Sequence, residues 1–269
     1  MQRTMKRYLG VAWRSWLPGL LLAAFVVGSA PVQADGLPAV IERVKPSVVG
    51  VGTHQETRQP RMDLRGTGFV VGDGRHVITN DHVLPDIIDS ERREILAVFL
   101  PMDGGRAQVR GARAVARDPA RDLVLLRIDG APMPALRLAR STTVREGQGV
   151  AFTGFPIGAA LGLFAATHRG TISAVAPVVM PVRSARELDP ALIRRLRDPF
   201  TIFQLDATAY PGNSGSPLFD PATGEVLGVV NMVFVKEGRE SALERPSGIS
   251  YAIPIDFARE LLVREGLQP

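Results

Sequence analysis

His82, Asp122 and Ser214 are a base, a carboxylate and a hydroxyl, each set in a short distinctive string. The strings are Thr79-Asn80-Asp81-His82-Val83, then Arg121-Asp122-Leu123-Val124-Leu125-Leu126, then Gly212-Asn213-Ser214-Gly215-Ser216-Pro217. A serine hydroxyl attacks a carbonyl carbon near neutral pH only when an imidazole takes its proton. The imidazole in turn needs a carboxylate that fixes its tautomer and stabilises its charged form. Together these residue types can carry acyl transfer through a serine ester. Tyr210-Pro211-Gly212-Asn213 is a turn-rich approach to the serine, and Gly212 admits backbone conformations that side chains resist. The N–H groups of Gly212 and Ser214 are therefore candidates to hold the oxygen that becomes negative during attack. Taken alone, the serine string is also an ordinary Asn-Gly-Ser loop; the two upstream strings favour the chemical reading.

The competing residues are less well placed. Of four histidines, His82 follows the apolar run His76-Val77-Ile78-Thr79 and so falls where a strand ends. His54, His76 and His168 have no companion string and read as structural. No pair of histidines has metal-ligand spacing and cysteine is absent, so no metal site and no cofactor is expected. Asp118, in Arg117-Asp118-Pro119, reads as turn, whereas Asp122 opens an apolar strand that can hold it rigidly, with pairing to Arg121 as its bland alternative.

The elements that must position these groups read as strands. Ile95-Leu96-Ala97-Val98-Phe99-Leu100, Gly149-Val150-Ala151-Phe152, Phe203-Gln204-Leu205 and Val226-Leu227-Gly228-Val229-Val230 are short apolar runs separated by Gly and Pro turns, the pattern of an all-β barrel protein. Helices are few. The clearest is C-terminal, capped by Asp256, running over 257–264 with Phe257 and Leu261 on one face, and stopping near Gly266. A second short helix is predicted over 189–197, inside the long 176–203 segment.

Residues 1–34 differ in composition from the rest. Arg3, Lys6, Arg7 and Arg14 precede a mainly apolar stretch over 17–27, and Val32-Gln33-Ala34 offers a small-residue cleavage site, which together read as a secretory signal peptide leaving no stable membrane span once cleaved, with an uncleaved membrane anchor as the alternative. Removing it lowers Lys plus Arg from 32 to 28 against 27 Asp plus Glu, so the net charge falls from +5 to +1. The basic whole-chain character is thus a property of the leader, and a nucleic-acid partner has no support. An exported chain without cysteine must rest on its hydrophobic core, which about 235 residues can supply.

With these residues in hand, the chain resembles the HtrA (Deg) branch of the trypsin-like serine proteases. The order His, Asp, Ser is that of chymotrypsin-type enzymes; subtilisins run Asp, His, Ser and α/β-hydrolases run Ser, acid, His. The resemblance begins at Leu37-Pro38-Ala39-Val40-Ile41-Glu42-Arg43-Val44-Lys45-Pro46-Ser47-Val48-Val49 and passes through Gly66-Thr67-Gly68-Phe69 and the His82 and Asp122 strings. It continues at Gly154-Phe155-Pro156-Ile157-Gly158, Arg169-Gly170-Thr171-Ile172-Ser173-Ala174, the Ser214 string, Gly228-Val229-Val230-Asn231 and Gly248-Ile249-Ser250-Tyr251-Ala252-Ile253-Pro254. It implies two six-stranded antiparallel β-barrels, over 35–140 and 141–269, as one protease domain with the site between them. It also implies a periplasmic or secreted endopeptidase acting on proteins or peptides in quality control or processing, and it leaves self-association into a homo-oligomer open. A primary pocket lined by Thr208, Val230, Asn231 and Gly248, none of them charged, is implied by the same resemblance and favours a small or medium apolar residue before the scissile bond.

Three features depart from the family pattern. Ser216 stands where a second glycine is usual, as in the glutamyl-endopeptidase branch, but the pocket lacks the histidine by which that branch meets a glutamate. The chain ends at Pro269, without room for the PDZ domain common in the family. The 176–203 segment is longer than a hairpin and is read as a lid or a surface insertion. A silent scaffold that binds peptides is the alternative to an enzyme; the intact set of three argues against it.

Overall fold

The structure, a computed structural model, describes residues 36–102, 106–158, 162–177, 200–231 and 248–269. Residues 1–35, the helix predicted over 189–197 with most of its segment, and residues 232–247 lie outside the described residues.

The first barrel is built from β1 (Val48–His54), β2 (Met62–Val71), β3 (His76–Thr79), β4 (Ile95–Pro101), β5 (Ala107–Asp118) and β6 (Leu123–Ile128), closed in the order β1-β2-β3-β6-β5-β4. The second repeats that plan with β7 (Gly149–Gly154), β8 (Ala166–Pro177), β9 (Thr201–Asp206), β10 (Pro217–Phe219), β11 (Val226–Asn231) and β12 (Ile249–Pro254), in the order β10-β11-β12-β9-β8-β7. Every pairing between these strands is antiparallel. The expected all-β, two-barrel class is the one observed. Register shifts interrupt β1–β2, β5–β6, β8–β9 and β10–β11, and such bulges supply the bends that closure demands.

Burial explains why the strands read as continuous apolar runs rather than alternating ones. In the first barrel Val49, Val51, Val70, Val77, Val98, Val124 and Leu126 fill the interior. Their neighbours Val48, Phe69, Val71, Ile78, Phe99, Leu123 and Leu125 belong to a second cluster, shared with Phe155, Phe219, Val229 and Ile253 of the other barrel. Successive side chains point to opposite faces, so a strand buried on both faces loses its polar alternation. Val150, Phe152, Ile172, Phe203, Leu205, Leu218 and Val230 fill the second barrel.

Two helices seal the shared cluster. α1 (Leu37–Val44), a stretch matched above only as a family string, buries Val40 and Val44. α2 (Ile255–Arg264) buries Ile255, Ala258, Leu261 and Leu262. Its N-terminus corrects the expectation from sequence: Asp256 lies in the first turn and is not the cap. Ser141, on the strap joining the barrels, supplies a hydroxyl that accepts from the Asp256 N–H at 3.2 Å, while the Asp256 carboxylate accepts from the Ser141 N–H at 2.9 Å. The cap is thus borrowed across 115 residues, which no local pattern could reveal. The C-terminus ends as read: Gly266 takes φ +71 and the Leu267 N–H returns to the Leu262 carbonyl at 2.9 Å.

Candidate active site

β3 delivers its last residue to a single tight helical turn, Asp81–Val83, which carries His82. Asp122 occupies the turn between β5 and β6 with φ +55, a left-handed conformation that aspartate tolerates better than most residues. The Asn80 amide donates to the Asp122 carbonyl at 2.9 Å, and the Asp81 N–H donates to the same oxygen at 3.2 Å. The His turn and the Asp turn are therefore tied through the Asp122 carbonyl, by one side-chain amide and one backbone N–H.

Their side chains then align. Asp122 is buried, at 5% exposure; its Oδ1 accepts from the His82 N–H at 2.9 Å and its Oδ2 lies 2.6 Å from His82 Nδ1. In a neutral imidazole, a carboxylate accepting at Nδ1 selects the tautomer with the proton there and the lone pair at Nε2. Ser214 Oγ lies 2.9 Å from that Nε2, so its O–H has an acceptor positioned to take the proton. The structure thus brings His82, Asp122 and Ser214 into one line, with base and acid from the first barrel and hydroxyl from the second.

The bland alternatives fall to other partners. Arg121 pairs with Asp118 at 2.9 Å and lies 4.4 Å above the Phe257 ring, so Asp122 is left to His82. Asp81 is taken by Arg117 at 2.6 Å, and the hydrogen bond to Asp81 holds that guanidinium above its ordinary range. His76 binds Asp73 at 2.7 Å. His168 stacks on Phe152 with ring centres 4.9 Å apart.

Behind the hydroxyl, the turn over 210–216 is fastened by a set of hydrogen bonds. Asn213 N–H donates to the Tyr210 carbonyl at 2.9 Å, Gly215 N–H to Val230 at 2.9 Å, and Thr67 N–H to the Ser214 carbonyl at 2.8 Å. Thr67 Oγ1 donates to the Gly212 carbonyl at 2.6 Å. The N–H groups of Gly212 and Ser214 have no acceptor among the described residues. Gly212 has φ +98, and a Cβ there would meet the Phe155 carbonyl at 2.3 Å, so both its conformation and its surroundings demand glycine. Ser216, the departure from the family pattern, is fully buried and faces Gly154; a Cβ on Gly154 would lie 2.0 Å from Ser216 Oγ. The missing side chain of one makes room for the hydroxyl of the other.

The residues expected around a primary pocket are placed differently from one another. Thr208 is half-buried and Gly248 exposed, its carbonyl accepting from the Ala207 N–H at 3.1 Å. Val230 packs inside the second barrel. Asn231 is fully buried and its Nδ2 donates to Asp122 Oδ2 at 2.6 Å. Its side chain therefore reinforces the carboxylate, the end of β11 lying against the Asp122 turn. Neither this role, nor that of Asn80 or Thr67, had a signal beyond adjacency to a chemical string. Among the described residues no cluster of His, Asp and Glu has the geometry of a metal site, and none of their helices is long and apolar enough to cross a membrane.

Two barrels with a histidine, aspartate and serine in line at their seam define the chymotrypsin-like class. A model of the trypsin-like peptidase domain matches residues 66–229, and the chain belongs to that family. Within it, the chain is 30% identical over 261 residues to a probable periplasmic serine endoprotease, DegP-like, of Pseudomonas putida, an alignment covering 93% of this chain and 44% of that one. It is 28% identical to a protein of the same description from Pseudomonas fluorescens, covering 90% and 52%. It is 31% identical to the mitochondrial serine protease HTRA2 of Bos taurus, covering 92% and 47%. The chain thus spans about half the length of the curated relatives it matches. Among solved structures, the HtrA-type protease AlgW with a tripeptide superimposes with a TM-score of 0.59 at 26% identity, over 86% of this chain and 64% of that one. The active form of the Rv3671c protease of M. tuberculosis gives 0.61 at 24%, over 86% and 85%, a likeness of fold.

Proposed function

We propose that this chain is a serine endopeptidase that cleaves peptide bonds through an acyl-enzyme. The observation that carries the reading is the unbroken line from Asp122 through His82 to Ser214, at 2.6 and 2.9 Å, closing beside two amides that no described residue engages. His82 Nε2 takes the Ser214 proton as Oγ bonds to the carbonyl carbon, and the amides of Gly212 and Ser214 hold the oxygen that becomes negative. His82 then gives the proton to the departing amine, leaving an ester on Ser214. Water, deprotonated by the same nitrogen, cleaves the ester and restores the hydroxyl. Proteins or peptides as substrates, export by the leader at 1–34 and work in quality control or processing complete the proposal, supported by the periplasmic DegP-like description of relatives.

The test is fluorophosphonate labelling of purified protein, with Ser214→Ala and His82→Ala variants alongside and casein cleavage as a second readout. Wild type should label and cleave, Ser214→Ala should do neither, and His82→Ala should fall by at least about 1,000-fold. A folded wild type that remains unlabelled, with or without unfolded protein added, would leave a peptide-binding scaffold as the reading.

A further inference from the structure

One bond that orients the Gly212 amide is made by a residue in an unfavourable conformation. Ile157, half-buried in the turn after β7, has φ +48. Among the described residues it is the only β-branched one with positive φ, a region where a branched Cβ collides with its own backbone. In that conformation its N–H donates to the Pro211 carbonyl at 2.7 Å. Pro211 and Gly212 share one peptide plane, and in a trans peptide the C=O and N–H point in opposite directions. Pinning the carbonyl toward Ile157 therefore aims the Gly212 N–H away from Ile157. The Phe155 carbonyl, the contact that a Cβ on Gly212 would meet at 2.3 Å, belongs to the same turn and backs the same plane. The next carbonyl, that of Gly212, is held by Thr67 of β2, where no residue has positive φ. The Pro211 carbonyl is thus fastened by a donor whose own backbone is under strain, the arrangement in which a small change of local preference can turn a peptide over.

We infer that Ile157 is a positioning residue that latches the oxyanion peptide: its left-handed backbone keeps the Gly212 N–H in the donating orientation, and relaxation to an extended φ releases the Pro211 carbonyl and lets that N–H turn away. The inference rests on the reading of Gly212 and Ser214 as the oxyanion donors. It makes the rate of acylation depend on backbone preference at 157 and not on the Ile side chain, and this yields an order among variants that packing does not predict. Asparagine and glycine accept positive φ readily, valine carries the same penalty as isoleucine, and proline excludes positive φ and lacks the N–H.

The experiment measures kcat and KM on one peptide substrate for wild type, Ile157→Val, Ile157→Asn, Ile157→Gly and Ile157→Pro. Circular dichroism and the low-field proton of the His82–Asp122 hydrogen bond report folding and alignment of the line. Asn and Gly should match or exceed wild type in kcat and Val should equal it. Pro should lose about 100-fold in kcat, the scale of one lost oxyanion donor, with KM within about twofold and the low-field proton retained. If Asn and Gly instead fall about tenfold while Val is unchanged, Ile157 acts by side-chain packing and the latch is overturned; that comparison holds even if the Pro variant does not fold. A wild type that neither labels nor cleaves overturns the enzyme reading and the latch with it, whereas an active wild type with a flat variant series overturns the latch alone.

Discussion

Asp122 bears more constraints than any other residue of the site. Its carboxylate accepts from the His82 backbone, the His82 ring and the Asn231 amide, and its carbonyl accepts from Asn80 and Asp81. A carboxylate with several donors cannot rotate, so the imidazole it holds cannot rotate either. Asn231→Leu tests this. A charge-assisted bond is worth about 1.5–3 kcal/mol, which corresponds to about tenfold or more in rate when the loss falls on the transition state. The expected result is a fall of at least about tenfold in kcat with KM little changed and the fold retained. Equal kcat in the variant would mean that His82 alone suffices to hold the carboxylate.

At the scale of elements, β3, the β5–β6 turn and the β10 approach carry the chemistry because each ends at the seam. The strings there were legible in sequence since each is local: His82 follows an apolar strand, Asp122 opens one, and Ser214 lies in a Gly-rich turn. What was not legible depended on partners far away in the chain. The cap of α2 comes from Ser141, and nothing near Asp256 announces it. The sign of φ at Ile157 follows from tertiary hydrogen bonding against local preference, so its own sequence argues for the opposite conformation. The family resemblance assigns Asn231 to a pocket wall, and its bond to Asp122 forms only once β11 is docked. The borrowed cap gives an element-scale prediction. Ser141→Ala should lower unfolding free energy by about 1 kcal/mol in urea titration, with kcat unchanged because the cap lies on the strap and not at the seam. A loss near zero would show that backbone contacts alone hold the end of α2.

For the molecule as a whole, stability rests on the two barrel interiors and the cluster between them, with no cysteine available to staple either. His168 makes that stability depend on pH. Burial holds its imidazole below the ordinary value of 6.5, and among the described residues its buried Nε2 has no hydrogen-bond partner. The unfolded chain then binds a proton near pH 6.5 that the folded chain refuses, so unfolding takes up a proton as pH drops. The stabilising contribution is complete above about pH 6.5 and declines as pH falls below it toward the lower folded value. Thermal melting from pH 7.5 to 5.5 should therefore show a falling Tm in wild type and a shallower fall in His168→Gln. Parallel slopes would assign the acid sensitivity to other groups.

The proposed base and its carboxylate belong to the half of the chain that leaves the ribosome first, and the nucleophile to the half that follows. On the proposed mechanism neither half can hydrolyse anything by itself, and the line of hydrogen bonds exists only while both barrels are folded and in register. The seam thus works as a coincidence detector. A nascent chain, or one that has lost either barrel to heat or acid, disarms itself before it can cut its neighbours.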